Sequence, residues 1–286
     1  MALNMLDLDL VINALPLAIL AATPLLLAVQ GELVVQRSGI INLGIEGMML
    51  VAAMTAVLAA QLTNNVALGF LGGIAGALLV AIVFGFFVIA LKADQIVTGT
   101  AINLLAVGAT SFVYRELQRG EIFVQSVPRI GTDVVVPLAW IVFPIVLAIV
   151  LWNTSFGLRL RACGENPDAI APHVGRHRAA ALAIEALLAG TAGAYLTLAL
   201  SSGFAENMTA GRGFIALSIV IFGRWKLKGA VLGTAIFGLA AALQYALQAA
   251  SRGVPYHLLL AVPYIVTLLI LCGIAGKVRA PESLGR

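Results

Sequence analysis

Long charge-free stretches set the rhythm of this chain. None of Asp, Glu, Lys or Arg occurs in 10–31, 47–91, 95–114, 134–158, 186–205, 229–251 or 253–276. Apolar residues run on continuously there rather than alternating, so the pattern predicts helices, not the strands of a barrel. A helix needs roughly 20 apolar residues to cross the hydrocarbon, so most runs hold one crossing and 47–91 holds two. Spans are predicted at about 11–30, 45–62, 66–91, 96–114, 137–153, 178–200, 229–250 and 256–274. A shorter apolar piece, 213–223, crosses in part or re-enters. The expected fold is all-α: a polytopic transmembrane helical bundle of about eight full spans plus that short segment. Residues 1–286 form one domain, with a loop at 154–177.

Composition agrees. Of 286 residues, 61% are hydrophobic and 10% charged, with mean hydropathy +1.04; a soluble domain carries about 25% charged residues. The N-terminus has Asp7 and Asp9 and no basic leader, so the first run is expected to stay as a helix. Two cysteines, Cys163 and Cys272, are too few and too far apart for a disulfide framework or a metal cluster.

Orientation follows from Lys and Arg, which collect on cytoplasmic loops. With 154–177 in the cytoplasm, twelve of the 17 basic residues fall inside and Arg115, Arg119, Arg129, Arg212 and Arg252 outside. The N-terminus then lies outside and the C-terminus in the cytoplasm. The net charge of +4 reflects this loop bias, not a nucleic-acid patch. Glycines spaced by four, Gly69 with Gly73, Gly72 with Gly76 and Gly229 with Gly233, suit close helix packing in a bilayer.

Two segments break the apolar pattern. "GELVVQRSGIINLGIEGMML" (31–50) places Arg37, Asn42 and Glu46 among glycines, and "SSGFAENMTAGRGF" (201–214) does the same with Glu206, Asn207, Thr209 and Arg212. Irregular backbone at membrane depth survives only inside protein or along a wet cavity. A pair of glycine-broken segments, one in each half, points to a translocation pathway; tight, solvated turns are the plainer alternative. Asn103, within the fourth span, is a further pathway candidate. Glu185, about two turns into the sixth span, either pairs with an arginine of a neighbouring helix or reaches the cytoplasmic surface.

The loop "GLRLRACGENPDAIAPHVGRHR" (157–178) predicts a helix of about two turns. Asn166 is its N-cap, Pro167 its first residue, Asp168 complements the dipole, and Gly175 ends it. Such a helix could dock on a cytoplasmic partner or lie on anionic lipid. The chain has no phosphate loop, no H-E-x-x-H, no nucleophile elbow and no Cys/His metal spacing. An enzyme reading therefore has nothing to stand on, and energy for transport must come from an ion gradient or another chain.

The blocks "GELVVQRSGIINLGIEGMML", "LRLRACGENPDAIAPHVGRHR" and "ENMTAGRGFIALSIVIFGRWKLKGAVLGTAIFG" resemble the permease subunits of bacterial ABC importers. The branch they look most like is that of nucleoside and simple-sugar importers related to the branched-chain amino-acid permeases. The resemblance spans about residues 14–276. It implies an inner-membrane protein that binds no cofactor itself, with ATP and Mg on cytoplasmic ATPase subunits. The implied partners also include a second permease chain, forming a heterodimer, and an extracytoplasmic binding protein or lipoprotein. It implies that Glu165, Asn166, Pro167, Asp168, Ala169 and Gly175 contact the ATPase, and that Asn42, Glu46, Glu206, Asn207 and Asn103 lie near the pathway. A simple-sugar importer and a stand-alone secondary transporter using Glu46 or Glu185 remain the competing expectations.

Overall fold

The computed structural model describes residues 8–120, 127–201, 203–250, 265 and 279–285. Ten α-helices follow one another: α1 (Leu8–Arg37), α2 (Ile45–Thr63), α3 (Val66–Gly85), α4 (Gln95–Arg119), α5 (Thr132–Pro137), α6 (Phe143–Asn153), α7 (Ser155–Glu165), α8 (Val174–Tyr195), α9 (Arg212–Phe222) and α10 (Leu227–Ala250). No strand occurs among the described residues. Single π-helical turns extend α3 to Ala90 and α8 to Leu200, and a third joins α5 to α6. Seven of the resulting helices are long and apolar enough to cross a membrane. The eighth predicted span, 256–274, lies outside the described residues apart from Ile265.

The observed bounds depart from the predicted ones where polar residues were read as loop. α1 runs on to Arg37, seven residues past its predicted end, so Glu32 and Gln36 become helical and buried. α4 likewise extends to Arg119. α7 was hidden inside the predicted loop at 154–177; the Thr154 hydroxyl caps it by accepting from the Gly157 amide at 3.1 Å.

α1 is the most enclosed span, packed on α8, α9 and α10, whereas α5 and α6 form the least enclosed. α2 and α3 form a tight antiparallel pair. The glycines at four-residue spacing in α3 make it possible: a Cβ on Gly72 would sit 2.4 Å from that of Ala59, and one on Gly76 within 2.3 Å of the Thr55 hydroxyl.

Most of the described basic residues gather at one end of the bundle. Arg37 pairs with Glu165 at 3.7 Å and donates to the Trp225 carbonyl, while Arg178 donates to the Ser38 carbonyl. Residues 279–285 return to the same end: the Ser283 hydroxyl donates to the Cys163 and Gly164 carbonyls, and the Gly285 amide to Gly39. Arg115 and Arg129 mark the opposite end, beside the loop after α8. Cys163 is fully buried in α7, and burial raises its thiol pKa, which keeps it neutral and unreactive.

Candidate functional site

The first interrupted segment is a true break between α1 and α2. α1 stops because Gly39 adopts φ +91°, a conformation that suits glycine, and the Ser38 and Gly39 amides turn back onto Val35 and Gln36 at 2.9 and 3.0 Å. Residues 40–44 then lie outside regular helix, inside the bundle, until α2 starts at Ile45.

Each polar backbone group freed in that stretch has to find a partner, because hydrocarbon offers none. Side chains from α1, from α4 and from the break itself supply them. Gln95 at the start of α4 accepts from the Ile41 amide at 2.7 Å. Asn103, two turns further along α4, donates to the Leu43 carbonyl and accepts from the Gly47 amide, both at 2.7 Å. Asn42 accepts from the Gly44 amide at 2.9 Å, closing a local Asx turn. Its own amide points at Glu32 at 3.4 Å.

Asn42 also connects the break to two carboxyl groups. Its side-chain nitrogen donates to Glu185 on α8 at 2.6 Å, and its backbone N–H points at Glu32 on α1. Gln36 donates to Glu32 at 2.8 Å and accepts from the indole N–H of Trp225 at 2.6 Å. Glu32, Asn42 and Glu185 are all at 0% exposure. Both expectations for Glu185 are thereby corrected: it neither meets an arginine nor reaches the surface. Roughly 16 Å separates it from Val174 along the helix, too far for a glutamate side chain to span.

The two interrupted segments meet at Glu46. In the first turn of α2, its carboxylate accepts from the Gly211 amide at 2.8 Å and the Gly213 amide at 2.5 Å, with both oxygens engaged. These are the leading amides of α9, so a negative side chain from one broken segment caps the positive dipole end of the helix after the other. Gly213 permits the approach, since a Cβ there would lie 2.6 Å from the Glu46 nitrogen. α9 has 11 residues and so spans roughly 16 Å, about half the hydrocarbon thickness. It starts within the bundle and ends at the basic end, where the indole N–H of Trp225 binds Gln36.

Of the five pathway candidates, the structure therefore brings Asn42, Glu46 and Asn103 into one buried region. Glu206 and Asn207 stand apart, exposed in the loop before α9. Glu206 forms a two-pronged pair with Arg115 at 3.0 Å, which lowers its carboxyl pKa below the ordinary value. Asn207 occupies a left-handed turn position, φ 53°. Sequence reasoning left Glu32, Gln36 and Gln95 out of the candidate set. The spacing of Glu32 and Gln36 by four, next to a break, was the signal that could have found them.

The loop candidates lie at the basic end. Pro167–Ile170 form a single 3₁₀ turn with no buried residue, and Glu165, Asn166, Asp168 and Ala169 are exposed around it. The predicted two-turn helix is corrected here. Asn166 makes no side-chain cap, His173 sits at the N-cap position of α8, and Gly175 lies inside α8 rather than ending a helix. Pro172 explains the shortening: the residue before a proline is pushed out of the helical region, and Ala171 is extended at φ −55°, ψ 138°. Gly175 lines a cavity of about 780 Å³ with Lys92 and Arg178. Among the described residues no group of His, Cys, Asp and Glu could hold a metal ion.

A sequence family described as the permease component of branched-chain amino acid transport systems matches residues 13–271. The guanosine ABC transporter permease NupQ of Bacillus subtilis is 32% identical to the chain, over 94% of each. The nucleoside ABC transporter permease NupC of Lactococcus lactis is 32% identical, over 92% of each. A putative glucose ABC transporter permease of Haloferax volcanii, TsgC13, is 37% identical over 81% of this chain and 76% of its own. No solved structure gives a significant match.

Proposed function

Because the chain belongs to the permease family of branched-chain amino acid transport systems, we propose that it is the membrane subunit of an ATP-driven ABC importer for nucleosides or nucleobases. The observation that carries this reading is the likeness to guanosine and nucleoside permeases over at least 92% of both chains. In this reading the chain is no enzyme and binds no cofactor. ATP and Mg act on separate cytoplasmic ATPase subunits, a second permease chain completes the pathway as a heterodimer, and an extracytoplasmic binding protein delivers solute.

The geometry fits those roles. The turn at Pro167–Ile170 projects with its flanking Glu165, Asn166, Asp168 and Ala169 uncovered, as a contact for the ATPase requires. Movement of this turn reaches the core directly, because α7 ends at Glu165, which pairs with Arg37 at the end of α1. Beyond Arg37 comes the break held by Asn42, Asn103 and Glu46. We assign these three to a gate on the solute route: they hold the broken backbone in this state and exchange partners as access alternates. Glu206 and Asn207 line the opposite mouth, so the N-terminus faces outside and the C-terminus the cytoplasm of an inner membrane. Neutral, hydroxyl-bearing solutes suit a route lined by amide and backbone groups.

Reconstitution with the ATPase, second permease and binding protein tests the proposal. Labelled nucleoside is expected to accumulate in vesicles only with ATP and to persist when ion gradients are collapsed. Accumulation of glucose or ribose with no nucleoside uptake would favour the simple-sugar reading that TsgC13 supports. Uptake that needs a gradient and ignores ATP would establish a stand-alone secondary transporter.

A further inference from the structure

A cavity of about 480 Å³ opens at the basic end, between α6, the end of α1 and the start of α10. Its lining divides by chemistry. Ile149 and Trp152 of α6 and Leu227 of α10 form an apolar wall, and Arg37, Lys226 and Lys228 stand at its charged side. Arg37 already has partners in Glu165 and the Trp225 carbonyl. Lys226 and Lys228 have neither an ion pair nor a side-chain hydrogen bond among the described residues. They flank the first residue of α10, whose N-terminal dipole adds to the same positive field.

The apolar wall is continuous with the most exposed span of the bundle. Ile145, Ile149 and Trp152 are 54%, 50% and 40% exposed along one side of α6. Tryptophan favours the boundary between hydrocarbon and headgroups, and lysines beside it reach toward phosphate. A greasy wall below and unpaired cations above match one molecule with two chemistries. A soluble protein could meet the lysines but not a wall at hydrocarbon depth.

We propose that this pocket binds an anionic phospholipid of the adjoining leaflet, with its phosphate on Lys226 and Lys228 and an acyl chain along Ile149 and Trp152. The site is independent of the transported solute and stands whether the cargo is a nucleoside or a sugar. Basic pockets between transmembrane helices are a recurrent way of holding such headgroups. The lipid would brace the α9–α10 turn against α6.

The assembled transporter, purified in mild detergent and stripped of lipid, is offered phosphatidylglycerol or phosphatidylcholine, and retained lipid is counted by native mass spectrometry. Preferential retention of phosphatidylglycerol is expected. Lys226→Gln with Lys228→Gln should lower it on the order of tenfold, and Trp152→Ala should lower it as well. Arg159→Gln, a surface change elsewhere at the same end, should leave it unchanged. Equal retention of both lipids, or no loss in the lysine variant, overturns the proposal. So does an equal loss in Arg159→Gln, which would indicate diffuse attraction. Displacement by inorganic phosphate, with Trp152→Ala silent, would reassign the lysines to a free anion. If the lysine variant instead retains lipid normally and captures less ATPase, the patch is a protein contact and the lipid assignment fails.

Discussion

Glu185 shows how a single residue changes meaning with its neighbours. It is wholly enclosed and hydrogen-bonded to Asn42, and its other oxygen finds no donor among the described residues. What Asn42 needs from it is an acceptor oxygen. Glutamine keeps the carbonyl acceptor and supplies N–H donors of its own, so Glu185→Gln should fold and assemble nearly as the parent does. Glu185→Ala removes the acceptor of the buried Asn42 amide and should cost about 1–3 kcal/mol of stability, read as a lowered thermal midpoint in detergent. If alanine is tolerated as well as glutamine, the Asn42–Glu185 bond does not tie the break to α8. Glu206 is the opposite case, exposed and held by Arg115. Its carboxyl pKa is depressed in the folded chain, first by that hydrogen bond. The pair's contribution is therefore present above the unfolded carboxyl pKa and is lost as pH falls through the lower folded value. Arg115→Gln should move the Glu206 titration midpoint upward toward the ordinary carboxylate value, as followed by carboxyl NMR; an unmoved midpoint would contradict the pairing.

At the scale of elements, the decisive contact is Glu46 with the leading amides of α9. α9 is short, starts inside the bundle and has no side-chain cap of its own at Gly211, so its position depends on a carboxylate from α2. Glu46→Gln retains one acceptor oxygen but loses the charge and presents an amide to backbone N–H groups. A loss of about 1–2 kcal/mol in the docking of α9 is expected, seen as reduced uptake with normal membrane insertion. Gly213→Ala should act in the same direction by displacing Glu46, since the added carbon meets the α2 backbone. Normal uptake in both variants would mean that this contact plays no part in the transport cycle. The turn at Pro167–Ile170 yields a separate expectation. Pro167→Ala with Asp168→Ala should reduce copurification of the ATPase while leaving the permease in the membrane, because neither side chain is buried in the bundle.

For the whole molecule, the segregation of arginines and lysines to one end predicts a sidedness that labelling can read. With the native cysteines replaced, Asp168→Cys should react with an impermeant thiol reagent only from the cytoplasm and Asn207→Cys only from outside; the reverse pattern would invert the bundle. Much of this architecture was legible in the sequence, because lipid imposes a simple rule: every crossing needs a long apolar run, and the seven observed spans fall on predicted ones. The short reach of α9 and the break after α1 were also legible, since glycine and charge inside apolar stretches are costly without a reason. Helix ends and partners were not. Glu32 and Gln36 read as loop residues until α1 was seen to pass through them, and Pro172 cut the predicted loop helix to one turn through a local backbone restriction that the capping pattern had outweighed. The amino-acid sequence by itself determined that this chain crosses a membrane as helices and where those helices are interrupted, because hydropathy and glycine act locally. Only the tertiary structure decided that the two interruptions lock onto each other through Glu46, and that Asn42, Asn103, Glu32 and Glu185 close around the first of them. Those contacts join residues far apart in the chain, and their energies depend on a geometry that no local pattern encodes.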